Sequence, residues 1–279
     1  MRIVFFLLSL LLVPTWGETT TINAATCGSA DITTAIGTAA DGDTVAVPGG
    51  TCTWVAQVVI PATKGIVLQG AGIGVTNIVN TNGVTGVPGG ALLVQTAAAN
   101  AVTRVTGFSW NAAGNTTSYS EITVYGTGLD RFRIDHITFT NIQSRAVAVL
   151  GNVSGLTADE FSGLIDHVTC NALVPSGTSP QCFNVNGSWN AEQQAMFAFA
   201  KHLGTNHAVY IENCTCVFAG TADECLDAFE GASFVYRYNT HTHISFGIHG
   251  ADSSNRGAHQ AEAYRNSFTS NSSGKYMAG

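Results

Sequence analysis

Ile134-Asp135-His136-Ile137-Thr138-Phe139 is a stretch that returns 31 residues later as Ile165-Asp166-His167-Val168-Thr169-Cys170. Each copy starts with an apolar residue, carries a hydroxyl residue in fifth place and ends on a residue suited to a core. Four further copies follow this pattern, at residues 105–110, 211–216, 236–241 and 263–268. Such short units bury an apolar face only by stacking on one another, so the repeat predicts a solenoid.

The spacing of the copies favours coils of parallel strands. Their hydroxyl residues lie 29, 31, 46, 25 and 27 residues apart, and the 46-residue interval fits two coils or one coil with an insertion around residues 190–201. Between copies, runs of Val, Ile, Phe, Thr and Tyr alternate with Gly, Asn, Ser and Asp, which is typical of strands and turns. The Leu spacing of leucine-rich repeats and the paired hairpins of propellers are absent from the sequence. We therefore predict an all-β fold, a single-stranded right-handed parallel β-helix.

The sixth position of each copy predicts one column of the core. Stacked coils place these residues above one another, and one member of the column, His241, is polar. The six residues are Trp110, Phe139, Cys170, Cys216, His241 and Phe268.

Residues 18–60 are predicted to form an N-terminal cap and the first coil. Ile32 and Ile36 stand at helical spacing behind Asp31, so we expect a short amphipathic helix that covers the open end of the solenoid. Residues 61–279 are then the coils of the β-helix. No comparable covering segment follows the last copy, so we expect the sequence to be truncated at its C-terminus.

Residues 1–17 have the pattern of a secretory signal peptide. Arg2 precedes an almost wholly apolar run from Ile3 to Val13, and small residues suitable for cleavage follow, with an alternative cleavage point as late as residue 25. The run is far shorter than the roughly 20 residues that span a bilayer. We therefore predict export, to the extracellular space or to the periplasm of a Gram-negative host, without a membrane span.

Seven cysteines follow the signal segment. An exported protein can keep disulfides, and a Cys27–Cys52 bond would close a loop around the first structural unit. The odd count leaves at least one thiol without a partner in the chain. Cys214 and Cys216 share one face of a strand, which suits a core column better than a zinc site.

The composition narrows the class of partner. Charged residues make up 10% of the chain, against roughly 25% in an average domain. A net charge of -7 with 11 Lys and Arg residues argues against nucleic acid, which is bound through clustered cations. We expect a monomer that does not bind nucleic acid.

The N-terminal segment resembles the pectin-lyase-like family of right-handed β-helix proteins. The resemblance lies in Cys27, the run DGDTVAVPGGTCTW at residues 41–54 and the run VLQGAG at residues 67–72. It implies a secreted protein that acts on or adheres to polysaccharide, and the family includes lyases, hydrolases, epimerases and adhesins. The Arg-x-Pro-x-x-Arg segment of pectate lyases is missing, as is the aspartate motif of polygalacturonases, so fold resemblance leaves the reaction open.

Two Asp-His pairs, Asp135-His136 and Asp166-His167, occupy equivalent positions of the repeat. The segments around these pairs also resemble short sequence motifs of pectate lyases. Because stacked coils bring equivalent positions together, we interpret the pairs as a structural ladder at a turn.

Four carboxylates crowd into eight residues of the late sequence: Asp223, Glu224, Asp227 and Glu230. Clustered carboxylates can hold Ca²⁺ through oxygen ligands or divide into acid and base roles. A solvated turn is the alternative. We predict Asp223 and Glu224 as metal ligands and Asp227 and Glu230 as members of a catalytic site.

Histidines and one arginine complete the predicted site. β-Elimination on a uronic-acid polysaccharide needs a group that neutralises the substrate carboxylate, a base, and an acid for the departing oxygen. Arg256 is the predicted carboxylate clamp, because its planar fork matches that group. His249 or His241 is the predicted base. His241, His243 and His259 are predicted to contact substrate, and Asp227 or Glu230 to orient the base or hold Ca²⁺.

Two other functions remain open at this stage. A glycoside hydrolase would use two of the four clustered acids across the scissile bond. A non-catalytic adhesion module would use aromatic side chains such as Trp189, Tyr210 and Tyr236 as sugar-stacking surfaces.

Overall fold

The computed structural model of the chain describes residues 19–269 with internal gaps. The predicted signal peptide and residues 270–279 lie outside the described residues, as does most of the predicted insertion around residues 190–201. The gaps fall at residues 85, 87, 97–99, 114–118, 127–129, 152–160, 174–179, 188–203, 205–207, 220–223, 230, 244, 249–257 and 259.

The described chain contains one helix, α1 (Ser29–Thr38), and 21 strands. The strands are β1 (Thr21–Asn23), β2 (Thr44–Val47), β3 (Gly50–Trp54), β4 (Val58–Ile60), β5 (Val67–Gly70), β6 (Thr76–Asn80), β7 (Leu92–Thr96), β8 (Thr103–Asn111), β9 (Ile122–Gly126), β10 (Asp130–Thr140), β11 (Arg145–Gly151), β12 (Phe161–Leu173), β13 (Gln181–Asn186), β14 (Val209–Glu212), β15 (Thr215–Ala219), β16 (Glu224–Phe229), β17 (Ser233–Arg237), β18 (Thr240–Thr242), β19 (Ser245–Ile248), β20 (Gln260–Tyr264) and β21 (Ser267–Thr269).

Every described strand pair is parallel. One sheet has 14 strands, with the path β1-β2-β5-β8-β10-β12-β14-β17-β20, and a second has seven, with the path β4-β7-β9-β11-β13-β16-β19. Neighbouring strands in either sheet come from successive coils, since each strand pairs with its counterpart one turn along the chain. The predicted parallel β-helix is therefore confirmed.

The 14-stranded sheet is folded along a line, so each coil has three faces. At equivalent positions of successive coils the backbone takes a positive φ, which bends β8, β10 and β12 and separates β14 from β15, β17 from β18, and β20 from β21. The bend residues are Gly107, His136, His167, Asn213, Tyr238 and Arg265. The Asp-His pairs predicted to lie at a turn do so, with φ of 52° at His136 and 54° at His167.

The predicted core column forms without a break. Trp110, Phe139 and Cys170 are register partners, and the ladder continues through Cys216, His241 and Phe268. The first five members are buried. Apolar burial of this kind is worth roughly 25 cal/mol per Å² of surface, which makes the stacked core the main source of stability.

Helix α1 covers the open end of the first coil, as predicted. Its Ile32 and Ile36 are buried against β1–β4. The predicted Cys27–Cys52 disulfide is present and ties the segment before α1 to β3, while Trp54 Nε1 donates a hydrogen bond to the Cys27 carbonyl at 2.9 Å. Among the described residues, no helix is long and apolar enough to cross a membrane.

The corner between the bent sheet and the seven-stranded sheet is closed in three coils by contacts between equivalent regions. In an early coil, Trp110 Nε1 donates to Glu121 Oε2 at 2.7 Å. In two later coils, disulfides Cys170–Cys182 and Cys216–Cys225 span the same corner. Among the described cysteines only Cys214 is outside a disulfide, which agrees with the odd count.

Candidate functional site

The outward face of the seven-stranded sheet becomes polar towards the later coils. One row of register partners on this face is made of Leu93, Thr123, Ala148, Asn184, Asp227 and Gly247. The first five are buried, although they point away from the core. Apolar and hydroxyl side chains in the early coils thus give way to an amide and a carboxylate, and buried polar groups of this kind must be held by specific partners.

Asp227 is held by side-chain amides of the preceding coil. Gln181 Nε2 donates to Asp227 Oδ2 at 2.7 Å, and Asn184 Nδ2 approaches the same oxygen at 3.4 Å. The carboxylate is 3% exposed. These contacts fix the position of the Asp227 carboxylate.

A cation lies one hydrogen bond further along this network. Arg145 Nε donates to Gln181 Oε1 at 3.1 Å, and the Arg145 guanidinium lies 4.6 Å from the centroid of the Tyr119 ring. The Gln181 amide therefore connects the guanidinium of Arg145 to the carboxylate of Asp227. We refer to Arg145, Gln181, Asn184, Asn186 and Asp227 as the Asp227 array.

Two amide oxygens of the Asp227 array are buried and accept no hydrogen bond within the described structure. They are Asn184 Oδ1 and Asn186 Oδ1, both on β13. Buried acceptors without a partner are rare in folded proteins and call for an explanation, such as a bound water or ion. Their oxygen chemistry suits a hard cation such as Ca²⁺.

Glu224 joins Asp227 on this face. A Cβ atom added to Gly247 would lie 1.9 Å from Glu224 Oε1, so the Glu224 carboxylate occupies the space that a side chain at position 247 would take. Gly247 is the register partner of Asp227. The structure therefore brings together two of the four clustered carboxylates, and the other two, Asp223 and Glu230, lie outside the described residues.

His241 lies in the core column and does not face this surface. Its side chain is fully buried, its Nε2 lies 3.0 Å from the Tyr236 hydroxyl, and its ring stacks on Phe268 at 4.4 Å. Burial lowers the pKa of His241 to about 4, which keeps the imidazole neutral. This position fits a packing role and not the base or substrate contact that the sequence suggested.

His243 lies directly after β18, at a positive φ of 65°, with its Nδ1 3.2 Å from the Phe218 carbonyl. It is partly exposed and lies away from the row that contains Asp227. The remaining predicted site residues, His249, Arg256 and His259, lie outside the described residues.

The two Asp-His pairs form a ladder with two arginines on the bent sheet. Arg104 donates two hydrogen bonds to Asp135, at 2.7 and 2.6 Å, and Arg133 donates two to Asp166, at 2.9 and 2.8 Å. His136 and His167 contact the same aspartates through Nδ1, and their rings stack 5.0 Å apart. We refer to these six residues as the Arg-Asp-His ladder. Each aspartate is saturated by donors from its own and the neighbouring coil, in keeping with the structural role predicted for the pairs.

Arg145, Gln181, Asn184 and Asn186 were missed by sequence reasoning. They are scattered among ordinary strand residues, and nothing in their local sequence marks them. The available signal was the register, because Asn184 stands one coil before Asp227. That alignment depends on the length of the segment between β13 and β16, which the repeat leaves ambiguous.

The fold and the Asp227 array define a parallel β-helix with a buried polar site on the outward face of its late coils. No protein-family model matches the chain, and no curated protein matches its sequence. Among solved structures, the chain is similar to an alginate lyase from Paenibacillus sp. str. FPU-7, with 15% identity, a TM-score of 0.46 and coverage of 89% of this chain and 95% of the other. It is also similar to ORF18 of Geobacillus virus E2, with 14% identity, a TM-score of 0.36 and coverage of 90% and 61%. At these values neither likeness assigns an activity to this chain.

Proposed function

We propose that this protein is an exported polysaccharide lyase that cleaves a uronic-acid-containing polysaccharide by β-elimination, on the outward face of the seven-stranded sheet around Asp227. The observation that carries the proposal is the buried Asp227 carboxylate, held by the amides of Gln181 and Asn184. A buried carboxyl group costs solvation free energy unless specific partners hold it. Asp227 lies outside the core on the seven-stranded sheet, so we attribute its burial to a function and not to core packing.

We assign the steps of the proposed reaction to residues of the late sequence, from Glu230 to His259. Arg256 pairs with the substrate carboxylate, which acidifies the C5 proton. His249 removes that proton, the electron pair forms a C4=C5 double bond, and the C4–O bond breaks as the leaving oxygen takes up a proton. Glu230 orients His249, and His243 and His259 contact neighbouring sugars.

The register of β16 and β19 supports this assignment. Ala228 pairs with Ile248, so the chain leaves these two parallel strands at the same edge of the sheet. Glu230 follows β16 in the sequence and His249 follows β19. Asp227 directly precedes Ala228, so it lies close to the point where both strands end. A base and the carboxylate that orients it would then come from neighbouring coils.

The residues of this face also fit a Ca²⁺ ion. The carboxylates of Asp227 and Glu224 and the unpartnered oxygen of Asn184 are the hard oxygen ligands that this ion takes, and Asp223 is a further proposed ligand. When bound, Ca²⁺ would supply positive charge that helps neutralise the substrate carboxylate.

Export is part of the proposal. Three disulfides are compatible with an oxidising compartment such as the extracellular space. The apolar run at residues 3–13 supports export by its pattern.

The test is a lyase assay on polygalacturonate, alginate and glycosaminoglycans, with Ca²⁺ or with a chelator. Ultraviolet absorbance of new unsaturated uronate ends is the readout. We expect a rising signal that Asp227→Asn, His249→Ala and Arg256→Ala each reduce by about 10²-fold or more. His136→Asn is the matched control, because it alters an exposed histidine of the Arg-Asp-His ladder and should retain activity.

Three results would contradict the proposal. Reducing ends without absorbance would mean hydrolysis, and glycan binding without any product would mean an adhesion module. Full activity in Asp227→Asn would move the site away from this face. Thermal unfolding of each variant separates loss of chemistry from loss of fold.

A further inference from the structure

The two late disulfides stack directly on one another in neighbouring coils. Cys170 and Cys216 are register partners on β12 and β15. Cys182 and Cys225 directly precede Phe183 and Leu226, which are register partners on β13 and β16. All four cysteines have no exposed surface. We call them the sulfur cluster.

The sulfur atoms of the two disulfides share one small volume. The Sγ atoms of Cys182, Cys216 and Cys225 all lie within 4.8 Å of one another, and Cys170 is bonded to Cys182. A pair of disulfides needs proximity only within each bond. Three of the four sulfur atoms thus lie as close together as the ligands of one metal ion, and the fourth, that of Cys170, is bonded to one of these three.

We propose that the sulfur cluster, when its cysteines are reduced, binds one Zn²⁺ ion through Cys170, Cys182, Cys216 and Cys225 in the core of the late coils. Four thiolates in a closed, buried site are the ligand set of structural zinc. The ion would join the same two coils and the same two sheets that the disulfides join. Such a site would hold these coils together before the thiols are oxidised.

A hydrogen-bond relay beside the cluster supports a thiolate at Cys225. The Tyr236 hydroxyl lies 3.5 Å from Cys225 Sγ and 3.0 Å from His241 Nε2. His241 Nδ1 is buried without a partner, which places the imidazole proton on Nε2, where it can be donated to the Tyr236 oxygen. The Tyr236 proton is then directed at the sulfur. Donors of this kind orient metal ligands and tune their charge.

The free cysteine is not part of the proposed site. Cys214 Sγ lies against the main-chain carbonyls of Glu212 and Ile165, at 3.4 and 3.8 Å. Cys214 therefore serves as a matched control within the chain.

Reduction of the two disulfides needs an external thiol or phosphine. Each disulfide takes up two electrons and two protons and yields two thiols. A thiol reductant supplies both and becomes a disulfide, whereas a phosphine supplies the two electrons and becomes a phosphine oxide, with the two protons and the oxygen taken from water. Binding of the ion forms four S–metal bonds and releases up to four protons, which makes the affinity fall with decreasing pH.

The test uses Co²⁺ as a spectroscopic probe for Zn²⁺. The folded protein is reduced with a phosphine under anaerobic conditions and titrated with Co²⁺. We expect thiolate-to-Co²⁺ charge-transfer bands and tetrahedral d–d bands that saturate at one ion per chain. Addition of Zn²⁺ should abolish them and raise the Tm of the reduced protein.

Variants separate this site from other thiols. Cys216→Ser and Cys225→Ser should weaken Co²⁺ binding by at least tenfold, and Tyr236→Phe by about tenfold through loss of the donor to sulfur. Cys214→Ser and the double variant Cys27→Ser/Cys52→Ser should keep the wild-type spectrum. The proposal is overturned if the reduced wild-type protein, folded by circular dichroism, shows no thiolate bands. Bands that survive in Cys216→Ser and Cys225→Ser would overturn it as well.

Discussion

Asp135 is the most heavily bonded side chain of the Arg-Asp-His ladder. It has no exposed surface and accepts hydrogen bonds from Arg104, Thr106 and His136. Burial would raise the pKa of Asp135, but hydrogen bonds from Arg104, His136 and Thr106 outweigh it and lower the pKa to about 2. The ionised carboxylate is therefore part of what joins two neighbouring coils.

Asp135→Asn should lower the free energy of unfolding by about 2 to 4 kcal/mol at pH 7, because a buried partner of Arg104 is lost. Urea denaturation measures this. Since the folded pKa lies below the unfolded one, the contribution of Asp135 is present at neutral pH and lost as pH falls from about 4 to about 2. The matched variant His136→Asn should change stability by less than about 0.5 kcal/mol, because a later coil carries Asn213 at the same positive-φ position. Equal losses in the two variants would contradict this account.

Glu121 shows the opposite pH dependence. Its carboxyl group is buried and accepts hydrogen bonds at Oε2 from Asn80 and Trp110, both at 2.7 Å. Burial raises the pKa of Glu121 to about 7, although these two donors lower it in part. Its stabilising contribution is complete below the unfolded pKa of roughly 4.3 and is lost as pH rises to about 7.

Glu121→Gln should therefore be more stable than the wild-type protein at pH 8, by about 3 to 4 kcal/mol, and about equal to it at pH 4. The amide oxygen of the glutamine can still accept the hydrogen bonds from Asn80 and Trp110, so the substitution should leave the local geometry unchanged. Thermal unfolding at the two pH values is the measurement. Glu121→Ala is the control, and it should be destabilised at both because two buried donors lose their acceptor.

Gly65 marks a close approach between successive coils. A Cβ atom at this position would lie 1.8 Å from the carbonyl oxygen of Ala101, which belongs to the next coil. Backbone cannot move aside as a flexible side chain can. Gly65→Ala should therefore destabilise the protein by about 2 kcal/mol or more, measured by urea denaturation.

Gly37 is the control position for Gly65, because an added Cβ atom there meets no other atom. It lies on the exposed side of α1, with nothing within 4 Å of an added Cβ atom. Gly37→Ala should stabilise the protein by about 0.5 to 1 kcal/mol, because alanine has the higher helix propensity. A loss of stability in this variant would show that α1 does not cap the solenoid as described.

The whole molecule is a stack in which each coil contacts its immediate neighbours, so local changes should stay local. The corner between the two sheets is closed by the Trp110–Glu121 hydrogen bond in an early coil and by two disulfides in later ones. The stability of the later coils consequently depends more on the oxidation state.

Reduction in the absence of metal should speed amide hydrogen exchange in β13 and β16 more than in β8 and β10. Mass spectrometry of peptides from the oxidised and reduced protein would measure this. The Cys27–Cys52 disulfide closes only the first coil, so removing it in Cys27→Ser/Cys52→Ser should leave exchange in β13 and β16 unchanged. A uniform loss of protection along the stack would contradict the prediction.

The polarity of the seven-stranded sheet also changes on the scale of the molecule. Its outward row passes from Leu93 and Ala148 to Asn184 and Asp227 along the solenoid axis. The early coils are thus covered by helix α1 at one end, and the buried amide and carboxylate of this row lie in the later coils. In the sequence, this asymmetry is indicated by the four carboxylates at residues 223–230. The amides of the preceding coil could be recognised only from the register between the strands.

The sequence by itself determined the solenoid, its core column, the capping helix and the Cys27–Cys52 bond. Each of these depends on short-range pattern or on a repeat, because stacked coils place equivalent residues above one another whatever the details of the loops. The same logic predicted the ladder role of Asp135 and Asp166. It also predicted two roles for His241, one in the core column and one in the site.

Only the tertiary structure decided between those two roles for His241, which it placed in the core. It also decided which cysteines pair across the corner and which amides hold Asp227. These contacts join segments whose separation varies from coil to coil, so no fixed spacing in the sequence encodes them. Their physical basis is the register between strands of neighbouring coils, which is set by packing of the whole stack.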